Sequence, residues 1–133
     1  VRNPWEREVS RYSYQRQTPN NTYHMESIRM SFEEWLERRR EDDGYMSFLG
    51  APMLSWLEDR NSRVLVDFVA RLENIEQDWQ AICNKLDIHG ALGKYNRSNH
   101  AHYSSYYNYK TRKIIQDIYG CDIEYFKYSF EYA

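Results

Sequence analysis

Val1-Arg-Asn-Pro-Trp-Glu-Arg-Glu-Val-Ser10 governs how the rest of this chain is read. Asn3 has the side chain to cap a helix, and Pro4 suits the first helical position, where the missing N–H had no partner to lose. Trp5, Val9 and Tyr12 recur at i, i+4 and i+7, so this helix buries one apolar stripe. It is expected to run from Pro4 to about Arg16, and Thr18-Pro-Asn-Asn-Thr22 stops it. Arg2 stands just before the helix, and Ser10 lies eight residues beyond Arg2. A guanidinium close to free helix N–H groups, with a hydroxyl further along, is an arrangement that holds an anion. The same residues fit a Pro-initiated helix with a solvated arginine, and the physics alone favours that plainer reading.

After a loop that reaches Arg29, Ser31-Phe-Glu-Glu34 is a capping box that opens a second helix, with Phe32, Trp35 and Leu36 facing inward. Arg38-Arg-Arg-Glu-Asp-Asp43 carries both signs and reads as a solvated face, and Gly44 reads as the end. Residues 45–59 read as a packed loop with room for a helical turn. Residues 63–69 are β-branched and nearly continuous in apolar character, the one good strand signal. Asn74 is placed to cap a helix from about Ile75 to Leu86, with a core stripe of Ile75, Trp79, Ile82, Cys83 and Leu86. Residues 89–102 form a polar loop containing Gly90 and Gly93. A helix from roughly Tyr107 to Tyr119 buries Ile114, Ile115 and Ile118 and stops at Gly120. A short last helix, about Cys121 to Phe126, packs Ile123 and Phe126. The chain is thus read as mostly α, with one or two short strands. A lone strand leaves N–H and C=O groups unmatched on both sides. A second copy of the chain adding to that edge, a homo-oligomer, is one way to match them.

The 133 residues form one domain and suffice for a core. Thirteen Tyr and four Trp supply much of the apolar surface, so the core should have wet edges where hydroxyls find partners. A formal charge of −2 argues against a general nucleic-acid binder. No apolar run approaches the ~18 residues needed to cross a membrane, and no signal peptide is visible at the N-terminus. Cys83 falls on an apolar helical face as a buried thiol, and a disulfide to Cys121 stays open at this level.

Residues 1–10 resemble the 3′-phosphate-binding motif of sulfotransferases that use 3′-phosphoadenosine 5′-phosphosulfate (PAPS), closest to the carbohydrate-type branch. In that family an Arg ends a strand, a Pro-initiated helix follows, and a Ser eight residues on completes the grip; here these are Arg2, Pro4 and Ser10. Val64-Leu-Val-Asp-Phe-Val-Ala-Arg-Leu-Glu73, on through Trp79, is similar to the family's late strand and the helix after it. Asn96-Arg-Ser98 through Asp122-Ile-Glu-Tyr-Phe-Lys-Tyr-Ser-Phe130 is similar to its C-terminal end. The three stretches come in the family's order over nearly the whole chain. The resemblance implies the C-terminal portion of a parallel α/β, P-loop-like fold, with strands before Val1 pairing the orphan at 63–69. It implies PAPS as co-substrate, no metal, and a carbohydrate or other small hydroxyl (or amine) acceptor. The compartment it implies depends on the source: cytoplasmic in a bacterium, the Golgi lumen for an animal-type enzyme. It implies donor-binding roles for Arg2 and Ser10 and, from a late loop that folds over the nucleotide, for Asn96 and Ser98. The family's 5′-phosphosulfate loop has no counterpart here, and its acceptor-activating base lies upstream of the Arg…Ser motif. No catalytic residue is therefore assigned, and the isolated chain is expected to be inactive.

Other candidates have plainer readings. Arg71 and Glu73 match the family's Arg-aromatic-Glu pattern with Leu72 in the aromatic place, and a structural ion pair explains them. His100-Ala-His102 lacks a third ligand for a metal. Tyr103-Ser-Ser-Tyr-Tyr-Asn-Tyr109 offers stacking surfaces but fits aromatic packing better. Asn20-Asn-Thr22 and Asn96-Arg-Ser98 are glycosylation sequons, of consequence only in a secretory compartment. Two functions compete with sulfuryl transfer: a non-catalytic helical interaction module, and a small-molecule kinase of related fold.

Overall fold

A computed structural model describes residues 1–133. It is mostly helical: α1 (Pro4–Gln17), α2 (His24–Arg29), α3 (Phe32–Glu41), α4 (Asp43–Ser47), α5 (Ile75–Leu86) and α6 (Tyr109–Phe126), with 3₁₀ turns at Leu54–Trp56, Leu72–Asn74 and Tyr103–Tyr106. α1 is the centre, packing against α2, α3, α6 and the Tyr103–Tyr106 turn. Its buried stripe is Trp5, Val9 and Tyr12, as the spacing predicts, and it meets Phe32, Trp35 and Leu36 of α3 and Ile114, Ile115 and Tyr119 of α6. The rings meet mostly edge to face: Tyr12 on Phe32 at 5.4 Å and Phe32 on Tyr107 at 5.0 Å between centroids.

Local chemistry sets the helix starts. The Asn3 side chain accepts from the N–H groups of Trp5 and Glu6, with Pro4 next to it in the first turn. Ser31 and Glu34 form the capping box of α3. Four boundaries differ from the sequence reading. Residues 24–29 are helical rather than loop. Gly44 does not end a helix; Asp42 does, and its carboxylate then caps α4 at the Tyr45 N–H. The last two helices are one, α6, bent at Tyr119 (φ −110°, ψ 23°), and Gly120 lies inside it. Asn74 precedes α5 without a side-chain cap.

The strand expected over residues 63–69 does not form. Only an isolated antiparallel bridge, Glu58 to Val64, is present. No hydrogen bond within the chain uses the main-chain groups of residues 66–69. A β-rich run becomes a strand only beside a neighbour; here Leu57–Asp59 meets residues 63–65 alone, and beyond 66–69 the one further neighbour is Val1. The Val1 N–H donates to the Ala70 carbonyl (2.7 Å) and the Leu72 N–H to the Val1 carbonyl (2.8 Å), the two slanted bonds of one parallel step. With no sheet there is no formed strand edge on which the expected homo-oligomer contact would rest. α5 shares this peripheral position. Of its expected stripe only Cys83 is buried, Leu86 is exposed, and both cysteines are free.

Buried charge is the feature the core adds. Glu8, 1% exposed, accepts from the hydroxyls of Tyr45 (3.1 Å) and Tyr119 (3.0 Å) and from Arg11 (3.1 Å). Burial first, and then the Glu8 charge, push the Tyr45 and Tyr119 phenols well above 10; the same two causes raise Tyr107. A phenol whose folded pKa is raised contributes stability that is complete below about pH 10 and is lost as the unfolded chain ionises above it. Thermal unfolding followed from pH 8 to 11 should therefore show stability falling above about pH 10, by about 1.4 kcal/mol per pH unit for each such phenol. Tyr119→Phe should flatten that slope; an unchanged slope would count against the raised phenol.

Candidate functional site

The first turn of α1 does not offer the free N–H groups that its sequence suggested. Asn3 Oδ1 takes those of Trp5 (3.0 Å) and Glu6 (3.3 Å). The Asn3 N–H donates to Glu73 Oε1 (2.5 Å), and the Arg2 N–H donates to Met53 Sδ (3.2 Å). Pro4 has none to give. The main chain at this end of α1 is already satisfied, so an anion here must be held by side chains.

Those side chains line one open cleft of about 1280 Å³. Arg2, Glu6 and Ser10 form one wall, spaced by four so that they stack along one side of the helix. The opposite side is Glu73, the start of α5 and the loop from Gly90 to His100, so Asn96 and Ser98 face the same space as Arg2 and Ser10. The hydroxyls of Ser10 and Ser98 are 2.7 Å apart. The Tyr14 hydroxyl donates to Asn96 Oδ1 (3.3 Å). Asn96 adopts φ 53°, a left-handed conformation that asparagine tolerates better than most residues.

Arg2 is paired, not free: its guanidinium lies 3.2 Å from the Glu6 carboxylate, both partly exposed. Any anion that binds Arg2 must compete with that carboxylate. Arg97, between Asn96 and Ser98, lines the cleft and makes no ion pair, which leaves it a second cation for the site. Its position inside the Asn-x-Ser tripeptide is the sequence signal for Arg97. Glu6 is the rival of any such anion for Arg2, and the i, i+4 spacing is the sequence signal for that pair.

The remaining candidates are structural. Arg71 and Glu73 do not pair with each other. Arg71 donates to the Phe126 carbonyl (2.6 Å) and lies over the Tyr128 ring at 5.0 Å, while Glu73 holds Asn3 and accepts from the Tyr128 hydroxyl (3.3 Å). His102 Nδ1 accepts from the Ser104 N–H and so caps the 3₁₀ turn (3.3 Å). The ring of Tyr103 packs on Phe130 at 5.4 Å.

Against known proteins, the sequence profile of the sulfotransferase family matches residues 1–129. The chain belongs to the sulfotransferase family. No curated protein and no solved structure matches this sulfotransferase chain. Membership places it among transferases and supports sulfuryl transfer in general. The cleft presents charged side chains and hydroxyls on both of its walls. No helix is long and apolar enough to cross a membrane.

Proposed function

We propose that this chain carries the 3′-phosphate half of the donor site of an enzyme that moves a sulfuryl group from PAPS to a hydroxyl or amine acceptor, with a carbohydrate hydroxyl as the favoured one. The observation that carries the reading is the convergence of Arg2, Ser10, Asn96 and Ser98 on one cleft. A phosphate monoester needs a cation and several neutral donors. Arg2 and Arg97 offer the first, and Ser10, Ser98 and the Asn96 amide the second. The donor set therefore fits the group.

In the reaction an acceptor oxygen or nitrogen attacks sulfur, the bond from sulfur to the 5′-phosphate oxygen breaks, and 3′-phosphoadenosine 5′-phosphate (PAP) leaves. The acceptor's proton passes to a base. The logic parallels phosphoryl transfer: in-line geometry and stabilised charge on the leaving oxygen. Arg2, Ser10, Asn96 and Ser98 hold the far end of the nucleotide. They fix its orientation and select for the 3′-phosphate, and nothing in this chain is assigned to the 5′-phosphosulfate or to the base.

Calorimetric titration with PAP, ATP and 5′-AMP tests this. PAP should bind most tightly. Preference for ATP would favour a kinase, and binding of none of them would favour a non-catalytic module. Glu6→Gln should tighten PAP by up to about fivefold, since exposed pairs of this kind contribute about 0.2–1 kcal/mol. Weaker binding by that variant would show that Glu6 orients Arg2 rather than competing for it.

A further inference from the structure

Ser10, Tyr14 and Gln17 are spaced four and three apart, so one face of α1 presents all three. Each bonds to the segment that forms the far wall of the cleft: Ser10 to Ser98, Tyr14 to Asn96, and Gln17 to Asn99. The Gln17 contact is the only two-way one. Its Nε2 donates to the Asn99 carbonyl (2.5 Å), and its Oε1 accepts from the Asn99 N–H (3.1 Å). The side-chain amide thus takes both main-chain groups of Asn99, as a neighbouring strand would. Gln17 is exposed, sits in the last turn of α1 and lies outside the cleft lining.

The rest of the loop is lightly held. Trp79 Nε1 donates to the Gly90 carbonyl (2.9 Å), and Lys94 meets Glu76 at 3.4 Å with both side chains mostly exposed. An exposed pair of that kind holds little. α1, in contrast, is the most central helix of the fold and serves as a fixed rail. The docking of residues 96–99 onto α1 therefore depends on three polar contacts, and Gln17 supplies two of their hydrogen bonds.

We infer that Gln17 is a positioning residue for donor binding: it holds the 96–99 segment against α1 so that Asn96 and Ser98 face Arg2 and Ser10. This rests on the donor-site reading above. If only a fraction f of molecules has the segment docked, the apparent dissociation constant is the intrinsic one divided by f. Losing Gln17 lowers f and weakens any ligand that needs Ser98 and Asn96 by the same factor. A ligand without the 3′-phosphate has no such need.

The test is Gln17→Ala, Gln17→Glu and Arg2→Ala, each titrated with PAP and with 5′-AMP, alongside thermal unfolding. Gln17→Ala should weaken PAP by about five- to tenfold, the low end of the loss expected of two neutral hydrogen bonds, because both are exposed. It should leave 5′-AMP within about twofold and shift Tm by no more than about 4 °C, as surface substitutions do. Gln17→Glu keeps the acceptor for the Asn99 N–H but loses the donor, and should fall between wild type and alanine. If Arg2→Ala weakens PAP and Gln17→Ala does not, the positioning role is wrong and the donor site stands. If Gln17→Ala weakens both nucleotides equally, or lowers Tm well beyond that range, its role is general stability and the inference fails. If the wild-type chain does not prefer PAP to 5′-AMP, the donor site and the inference fall together.

Discussion

Replacing Arg39 with alanine is expected to cost about 2–5 kcal/mol of folding stability, the usual loss when a large, fully buried side chain is truncated and leaves a cavity. Arg39 is the middle of three consecutive arginines, yet it is only 1% exposed. Its guanidinium carbon lies 4.2 Å from the centre of the Tyr23 ring and 5.7 Å from that of Tyr45. Its Nη2 bonds to Glu26, and its Nη1 stands 3.6 Å from Asp42, too far for a hydrogen bond. Nε and Nη1 are buried without a hydrogen-bond partner. Truncation removes the cation from between two rings and leaves a cavity and two unpaired carboxylates. Thermal unfolding should register a drop of at least about 10 °C. Arg38→Ala and Arg40→Ala, on the exposed side, should each stay within about 0.5 kcal/mol. Arg39→Met should recover much of the loss. The apolar stem refills the space, its unpartnered N–H groups disappear, and Glu26 and Asp42 retain access to water. Equal Tm shifts for all three alanine variants would refute the buried role.

The second large effect concerns the nucleotide. Arg2→Ala should weaken PAP binding on the order of ten- to a hundredfold, because a charge-assisted bond contributes about 1.5–3 kcal/mol. The variant also leaves the Glu6 carboxylate in the cleft without its cation, so part of the loss is repulsion. Arg2→Ala combined with Glu6→Gln should therefore bind PAP better than Arg2→Ala alone. Ser10→Ala should cost less, near fivefold, since a neutral hydrogen bond contributes about 1 kcal/mol and Ser98 remains beside it. Arg2→Lys keeps the charge but loses the planar fork, and should fall between. Binding by Arg2→Ala equal to wild type would remove Arg2 from the site.

What the sequence disclosed was local. The Asn3–Pro4 start, the Ser31–Glu34 box and the Trp5, Val9, Tyr12 stripe each depend on residues within a turn or two, and all are present. What it concealed depends on distant partners. Residues 63–69 have the composition of a strand, but a strand is a relation between two segments; Leu57–Asp59 reaches only its first residues, and Val1 lies alongside only past its end, at Ala70–Leu72. Arg39 and Glu8 look like ordinary surface charges until the aromatic rings around them are known. Of the residues proposed for the donor site, Arg2 and Ser10 come from the family resemblance, and the structure shows that both line one cleft. The competition from Glu6 and the docking of residues 96–99 on α1 were not legible in the sequence, because each needed the helical face and the loop together.

The sealed main chain at the start of α1 has a practical meaning. Affinity that comes from backbone amides cannot be altered without reshaping a helix. Here the amides are committed to Asn3, Glu73 and Met53, so under the donor-site proposal any tuning toward one phosphate or another falls to a handful of rotatable groups. Most of these are partly exposed, and their replacement leaves the scaffold standing, which makes the cleft an adjustable socket on a rigid frame.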